Sequence, residues 1–205
     1  MVVVTRYQIR PMTDADIVQV AEIEHESFPT TWPQTAYRRE LSNNLARYLV
    51  LVDRSHPAVN NFTNKKRTGF LGRFLKKDPS TLTRDYIVGY VGVWLMVDEA
   101  HIVAIAVRES YRGRGLGEML LAESIDLAMA NHQESVTLEV RKSNTLAQNL
   151  YEKYRFLKVG VRKRYYSDNH EDAIIMTTPP IQADVYREHL DYLREQRERR
   201  WATQD

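Results

Sequence analysis

The chain contains no cysteine among its 205 residues. Without thiols it can have neither a disulfide framework nor a cysteine-rich metal site, and a mechanism that uses a cysteine nucleophile is excluded. Any acyl transfer must therefore be direct or use another nucleophile. We expect no bound metal.

Long apolar runs are also missing. The amino terminus reaches Arg6 after too few apolar residues for the core of a signal peptide, and no stretch approaches the roughly 18 apolar residues that a membrane-spanning helix needs. We therefore expect a cytoplasmic protein with no membrane partner. Apolar residues make up 43% and charged residues 27% of the chain, which is typical of a globular protein rather than a disordered one.

Two common nucleotide-binding signatures are absent as well. No glycine-rich loop ends in GK[ST], and the pattern GxGxxG does not occur, which excludes a P-loop and a Rossmann fingerprint. Instead, RGRGLG at Arg112–Gly117 stands between a predicted strand and a predicted helix. Such a turn exposes backbone N–H groups that attract an anion. Taken alone, the glycines fit a plain tight turn equally well.

The order of elements indicates a mixed α/β protein. Strands are predicted at residues 7–10, 48–53, 86–97, 101–107, 136–140, 157–166 and 173–177, and helices at 14–27, 35–43, from Leu116, from Ser143 or Asn144 to 154, and at 183–200. The alternation in Val136–Val140 turns Glu139 away from the apolar face of its strand. The length fits one domain with additions.

Three segments occur in a fixed order along the chain. They are IAVRESYRGRGLG, LEVRKSNTLAQNLYEKYRF and RYYSDNHEDAIIM. In this order they resemble the GCN5-related N-acetyltransferase (GNAT) superfamily, and within it the branch that acetylates the N-terminal alanine of ribosomal proteins. The resemblance spans residues 86–177, with 7–53 consistent but less specific. It implies an α/β fold whose mostly antiparallel central sheet splays around acetyl-coenzyme A (acetyl-CoA) and is flanked by helices.

The resemblance also implies roles for individual residues. Glu139 falls on the position of the general base, and Tyr151 on the position that protonates the leaving thiolate. The expected cofactor-binding residues are Ile105, Ala106, Val107, Arg112, Gly113, Arg114, Gly115, Leu116, Gly117, Glu118 and Asn144. Among these, the main chain of 105–107 would pair with the pantetheine arm and the turn 112–117 would bind the pyrophosphate.

The chemistry of the two catalytic candidates agrees with these roles. A protein α-amino group has a pKa of about 8 and a phenol one near 10, so a carboxylate can accept the first proton and a tyrosine can supply the second. Taken alone, Glu139 also fits a solvated carboxylate and Tyr151 a core aromatic. We expect His101 to be structural and at most to assist proton removal.

The acceptor is expected to be the N-terminus of another protein, with ribosomal proteins as candidates. In the branch that the chain resembles, the turn between the first two helices and the late hairpin wall the peptide groove, which assigns substrate contacts to Phe28, Trp32, Tyr165, Tyr166 and Glu171. The two adjacent tyrosines would face opposite sides of a strand. Two alternatives stay open: acetylation of a small amine such as a polyamine or aminoglycoside, and a binding module that senses acetyl-CoA without turnover.

The chain departs from the family pattern in three places. Arg155 stands where the family has a glycine after a helix, at a cost of about 1 kcal/mol if its backbone is left-handed. The segment Arg54–Arg84 carries eight basic residues and one acidic residue, whereas the rest of the chain has 21 basic and 26 acidic residues. We read it as an insertion in a domain spanning 1–180, either solvated or docked on an acidic surface or ribosomal RNA. Residues 181–205 form a charged helical extension that packs on the domain or on a second copy.

Overall fold

The computed structural model describes residues 6–56 and 85–202. The strands are β1 Tyr7–Pro11, β2 Ala46–Asp53, β3 Tyr86–Leu95, β4 Glu99–Val107, β5 Ser135–Arg141, β6 Leu157–Arg162 and β7 Ala173–Thr177. The α-helices are α1 Ile17–Ser27, α2 Gln34–Leu41, α3 Leu116–Ala130, α4 Thr145–Lys153 and α5 Asp184–Ala202. Most of the predicted basic insertion, residues 57–84, lies outside the described residues, and so does its predicted docking surface.

The described strands form one sheet in the order β1-β2-β3-β4-β5-β7-β6. Every neighbouring pair is antiparallel except β4 and β5, which are parallel. Helices α1 and α2 pack on one face of this sheet, and α3, α4 and α5 pack on the other. The predicted mixed α/β fold with a mostly antiparallel sheet is therefore confirmed.

The parallel pair β4–β5 is incomplete. Its pairing joins Glu99–Ile102 to Ser135–Leu138, and both strands then continue without pairing to each other. Val103 is an extra residue in the β3–β4 ladder, because Gly92 pairs with Ala104 while the next residue of β3 pairs with Ile102. Such a bulge bends its strand. Since β5 stays paired with β7 along Thr137–Arg141, the sheet opens between β4 and β5.

The C-terminal helix packs on the domain, which is the first of the two alternatives considered for it. Tyr186, Leu190 and Leu193 are buried in the same apolar cluster as the inner side of α3. Trp201, near the end of α5, contacts Tyr7 of β1 edge to face. Among residues 6–56 and 85–202, no helix has the length and apolar composition to cross a bilayer.

The prediction that β6 runs to residue 166 is wrong, because the strand ends at Arg162. Arg164 has a left-handed backbone with φ of 53°, and its N–H donates a 2.9 Å hydrogen bond to the Asp172 carboxylate. This contact turns the chain out of the ladder. Tyr165 and Tyr166 consequently lie in the following loop with their rings edge to face, rather than on opposite faces of a strand.

The turn after α4 keeps the left-handed geometry that glycine would favour. Arg155 has φ of 60° and its N–H bonds to the carbonyl of Glu152 at 2.9 Å. The carbonyl of Tyr151 accepts from Phe156 at 3.0 Å in the same turn. The turn therefore has a left-handed geometry that favours glycine, with an arginine in that place, and the expected small strain applies.

We predict that Gly92→Ala destabilises the fold by about 1–3 kcal/mol, the usual range for overpacking. An added Cβ would lie 2.5 Å from the ring of Tyr48 on the neighbouring strand. Gly117→Ala is the matched control, since no atom lies within 4 Å of its added Cβ. Urea denaturation monitored by circular dichroism should show a lower midpoint for the first variant only. Equal midpoints for both variants would contradict this packing.

Candidate active site

A cavity of about 470 Å³ lies where the sheet opens between β4 and β5. Its walls come from the α1–α2 turn, the two diverging strands, the start of α4 and the loop after β6. The two predicted catalytic residues, Glu139 and Tyr151, both line it, as do Ile105 and Asn144 of the predicted cofactor set. Residues from distant parts of the sequence thus meet in one space.

Glu139 projects from β5, and both of its carboxylate oxygens are engaged. Nε2 of His101 on β4 lies 2.6 Å from Oε2, and Nε of Arg162 on β6 lies 2.9 Å from Oε1. The hydrogen bond from His101, with the charge of Arg162 added, outweighs burial and holds the pKa of Glu139 below its usual range. Glu139 is therefore ionised at neutral pH. His101 contacts it directly, and the structural role expected of His101 stays a prediction.

Tyr151 reaches the cavity from α4. Its side chain is buried beside Phe156, with ring centroids 5.7 Å apart. Burial, and secondarily the nearby Tyr166, raises the pKa of its phenol well above the usual value. Within the described ranges no residue hydrogen-bonds to this hydroxyl. A protonated phenol is thus available as a donor to a group in the cavity.

The glycine-rich turn before α3 leaves its backbone open. Gly113 and Gly115 have φ of 77° and 78°, in the left-handed region that favours glycine, and Gly115 is the N-cap of α3. No atom lies within 4 Å of a Cβ added to Gly113 or Gly117. Backbone N–H groups at a helix start, with no side chain in front of them, fit the diphosphate of the expected cofactor.

The unpaired part of β4 leads from this turn to the cavity. Over Ala104–Val107 the strand pairs with β3 but not with β5, so one edge of its backbone is left for another partner. Ile105 lines the cavity at that edge. A ligand arm with amide groups, such as pantetheine, can replace the missing strand there. The turn and the strand edge together fit acetyl-CoA.

Several predicted cofactor residues can contribute only through their main chain. Leu116 is buried in the core at 1% exposure, and Ala106 and Val107 are also buried. Arg112 donates to the carbonyl of Val107 at 3.1 Å, and Arg114 to that of Ser110 at 2.9 Å. These bonds use only part of the five N–H donors of each guanidinium, so the predicted contact of Arg112 and Arg114 with the cofactor stays a prediction.

Two polar members of the predicted cofactor set also have partners inside the protein. The carboxylate of Glu118 accepts from Lys153 at 2.6 Å and from Tyr154 at 3.1 Å, both at the C-terminal end of α4. The side chain of Asn144 caps α4 by accepting the N–H of Ala147 at 3.1 Å. Glu118 is thus oriented into the helical layer, whereas Asn144 borders the cavity.

Four of the five predicted substrate residues line the cavity, namely Phe28, Trp32, Tyr165 and Tyr166. Glu171 does not. Its carboxylate accepts the N–H of Ser143 at 2.6 Å, and hydrogen bonds from the side chain and the backbone of Ser143 lower its pKa to about 2. Glu171 thus holds the late loop against the start of α4 instead of facing the cavity.

Sequence reasoning missed Arg141, which organises the same loop. Its guanidinium donates to Asp168 at 2.8 Å and to Glu171 at 3.3 Å, and lies 3.9 Å from the centroid of the Tyr166 ring. Arg141 thereby fixes the loop that carries both tyrosines. The acidic run after the tyrosines is visible in the sequence, but no local signal assigns it to an arginine some thirty residues earlier.

A second carboxylate in the cavity, Glu24, was also missed. It accepts hydrogen bonds from the hydroxyl of Tyr37 and, at 3.1 Å, from the N–H of Trp32. Burial raises its pKa. Glu24 thus ties the turn that carries Trp32 to the floor of the cavity. A signal existed, since Glu24 continues the buried stripe of Ile17 and Val20 on α1.

Comparison with known proteins agrees with this geometry. A putative [ribosomal protein bS18]-alanine N-acetyltransferase of Bacillus subtilis (strain 168) is 35% identical over 173 residues, which is 84% of this chain and 95% of that protein. An N-alpha-acetyltransferase of Sulfolobus acidocaldarius is 33% identical over 174 residues, which is 84% of this chain and 92% of that protein.

The same fold occurs in solved structures. The crystal structure of the ribosomal-protein-S18-alanine N-acetyltransferase from Escherichia coli superposes with a TM-score of 0.65 at 24% identity, over 86% of this chain and 96% of that one. Residues 17–156 match the Acetyltransferase (GNAT) family. This range contains the glycine-rich turn, the opening between β4 and β5, and both predicted catalytic residues. The chain therefore belongs to the GNAT family of acetyltransferases.

Proposed function

We propose that this protein transfers the acetyl group of acetyl-CoA directly to the N-terminal α-amino group of a protein, with a ribosomal protein that begins with alanine as the leading acceptor. One observation carries the proposal: a single cavity joins the opening of the sheet to a groove between the α1–α2 turn and the loop after β6. Glu139 and Tyr151 stand in its wall. The reaction would take place in the cytoplasm, where ribosomal proteins are made.

The cofactor would be held mainly by backbone groups. The N–H groups of the turn 112–117 would bind the diphosphate, and the open edge of β4 at 105–107 would pair with the pantetheine amides. Bound in this way, acetyl-CoA supplies a thioester whose carbonyl carbon the amine attacks. Glycine at 113 and 117 keeps side chains out of the approach to this turn.

Glu139 would accept the proton that the amine loses as its new bond to carbon forms. The carboxylate is ionised at neutral pH because its pKa is held below the usual range. A weak base suffices, because the N–H becomes strongly acidic once the nitrogen carries the acyl carbon. The contacts to His101 and Arg162 keep the carboxylate at one place in the wall.

Tyr151 would donate its proton to the departing sulfur. Its hydroxyl has no partner in the described residues, and burial keeps it protonated. Proton donation at this point makes the thiol, rather than the thiolate, the leaving group. No covalent acyl-enzyme is required, which agrees with the absence of cysteine.

The walls of the groove favour a peptide N-terminus as the acceptor. Phe28 and Trp32 offer apolar surface on one side, and Tyr165 and Tyr166 offer aromatic faces with polar tips on the other. The carboxylates of Glu24 and Asp168 add negative charge near an incoming amine. One similar protein is named a putative ribosomal-protein alanine N-acetyltransferase, and another is named an N-alpha-acetyltransferase. Both names support a protein N-terminus as the acceptor.

Glu139→Gln and Tyr151→Phe should each lower kcat by about a hundredfold, within the usual range for loss of a general base or acid. Both changes keep the size of the side chain, so the KM for acetyl-CoA should stay nearly constant. Glu134→Gln, at the residue just before β5 and outside the cavity lining, is the control and should retain wild-type kcat. A thiol-release assay measures all three. Wild-type rates in both test variants would contradict the assigned roles.

The pH dependence of kcat/KM should show a rising limb and then a plateau. The limb reflects deprotonation of the acceptor amine, with a pKa of about 8. Glu139, whose pKa is lowered, is already ionised at that pH. It would be protonated, and so lose its function as a base, only at a pH below the usual pKa range of a glutamate. Tyr151, whose pKa is raised, stays protonated beyond the usual pKa of about 10. A decline between roughly pH 8 and 10 would argue against Tyr151 as the donor.

The acceptor class is tested by a matched panel. The enzyme with acetyl-CoA should acetylate a short peptide that begins with alanine, and should not acetylate the same peptide with a blocked N-terminus and a free lysine. Mass spectrometry identifies the modified amine. Faster turnover of spermidine or an aminoglycoside than of the peptide would replace the proposal by a small-amine acetyltransferase. Cofactor binding without thiol release on any amine would indicate a sensing module.

A further inference from the structure

The last backbone carbonyls of helix α4, which carries Tyr151, accept hydrogen bonds from side chains of the C-terminal helix α5. The hydroxyl of Tyr186 donates to the carbonyl of Tyr154, and Nε2 of His189 to the carbonyl of Lys153, both at 2.9 Å. The final carbonyls of any helix lack partners within the helix and need them elsewhere. Here α5 supplies them, and Tyr186 is almost fully buried as it does so.

Side chains of the same turn are tied to two further helices. Glu118 of α3 accepts from Lys153 and from the hydroxyl of Tyr154. Arg200 of α5 donates to the same carboxylate at 3.0 Å. The bonds from Lys153 and Arg200 lower the pKa of Glu118 despite its burial. The last turn of α4 is thus held between α3 and α5 from its backbone and from its side chains.

These contacts lie directly beside the catalytic candidate. The carbonyl of Tyr151 accepts the N–H groups of Tyr154 at 2.9 Å and Phe156 at 3.0 Å, so a shift of the turn moves Tyr151 with it. Helix α4 has only nine residues, of which Gln148 and Tyr151 alone are buried. A helix this short is marginal by itself and takes its position from its neighbours.

We propose that α5 is a positioning element of the active site, with Tyr186 and His189 as positioning residues that set the place of the Tyr151 hydroxyl through the end of α4. The helix begins after the region that matches the GNAT family, which ends at residue 156. It would act on kcat rather than on substrate binding, since no residue of α5 lines the cavity. This inference rests on the proposed function, because it takes Tyr151 as the proton donor.

The test uses the full chain and compares Tyr186→Phe and His189→Leu with the wild type. Each variant removes one donor to α4, and we expect kcat to fall about tenfold, in line with the sensitivity of catalysis to small displacements. The KM values for acetyl-CoA and for the alanine peptide should change by less than about twofold. His189→Gln keeps an N–H donor and should restore most of kcat. Hydrogen exchange at amides 151–156 should be faster in the first two variants only.

Arg194→Gln is the matched control on the same helix. Arg194 binds Asp126 of α3 and does not contact α4, so its loss should lower the melting temperature without changing kcat or exchange at 151–156. All assays are run well below the melting temperature of every variant, so that a change in kcat does not report unfolding.

The outcomes separate the inference from the function on which it rests. Faster exchange at 151–156 with unchanged kcat in Tyr186→Phe and His189→Leu overturns the positioning role and leaves the acetyltransferase activity in place. Equal losses of kcat in the test variants and in Arg194→Gln also overturn it, because they reveal only general destabilisation. A wild-type enzyme that releases no thiol on any amine overturns the proposed function itself, and with it the catalytic part of this inference.

Discussion

The early end of the parallel pairing between β4 and β5 is the feature on which the rest of the site depends. After Ile102 and Leu138, each strand stays paired with its outer neighbour, and the two strands no longer pair with each other. The bulge at Val103 gives β4 the bend that this requires. Backbone groups on the inner edge of β4 are then left for a ligand, because buried N–H and carbonyl groups need partners. The cavity, its catalytic candidates and the glycine-rich turn all lie along this opening.

Three carboxylates near the opening have different tasks because their partners differ. Glu139 is bonded by a histidine and an arginine, which favour its ionised form at the cavity wall. Glu24 is desolvated and bonded by a tyrosine and a backbone N–H, so it fastens the turn that carries Trp32. Glu171 faces away and anchors the late loop. Burial and the choice of hydrogen-bond donor therefore give identical side chains different pKa values and different contacts.

The helical layer supports the site from the opposite side. The buried carboxylate of Glu118 collects bonds from α4 and α5, and so connects the helix that starts at the glycine-rich turn with the helix that carries Tyr151. The left-handed Arg155 closes the end of α4 and also contacts α5. Helices α3 and α4, which lie inside the family match, and α5, which lies outside it, are thus joined by hydrogen bonds next to the cavity.

The sequence by itself determined the type and order of the elements, the glycine-rich turn before α3, and Glu139 and Tyr151 as candidates that prove to line one cavity. These depend on periodicity, caps and turn chemistry among near neighbours, and on a family resemblance carried by continuous segments. Local patterns also led to an error, because the strand-like composition predicted that β6 continues past Arg162. In the structure β6 ends at that residue, and the N–H of Arg164 bonds to Asp172 instead of continuing the ladder.

Only the tertiary structure decided the partners of the charged groups. Arg141 meets Asp168 across 27 residues, Glu24 meets Tyr37 through a turn, and Glu118 meets Arg200 across 82 residues. Sheet order and helix packing bring these groups together, and neither is encoded in the spacing of the residues involved. A buried charge takes whichever partner the fold places within hydrogen-bond distance, and for that reason its role is settled by packing rather than by its neighbours in the chain.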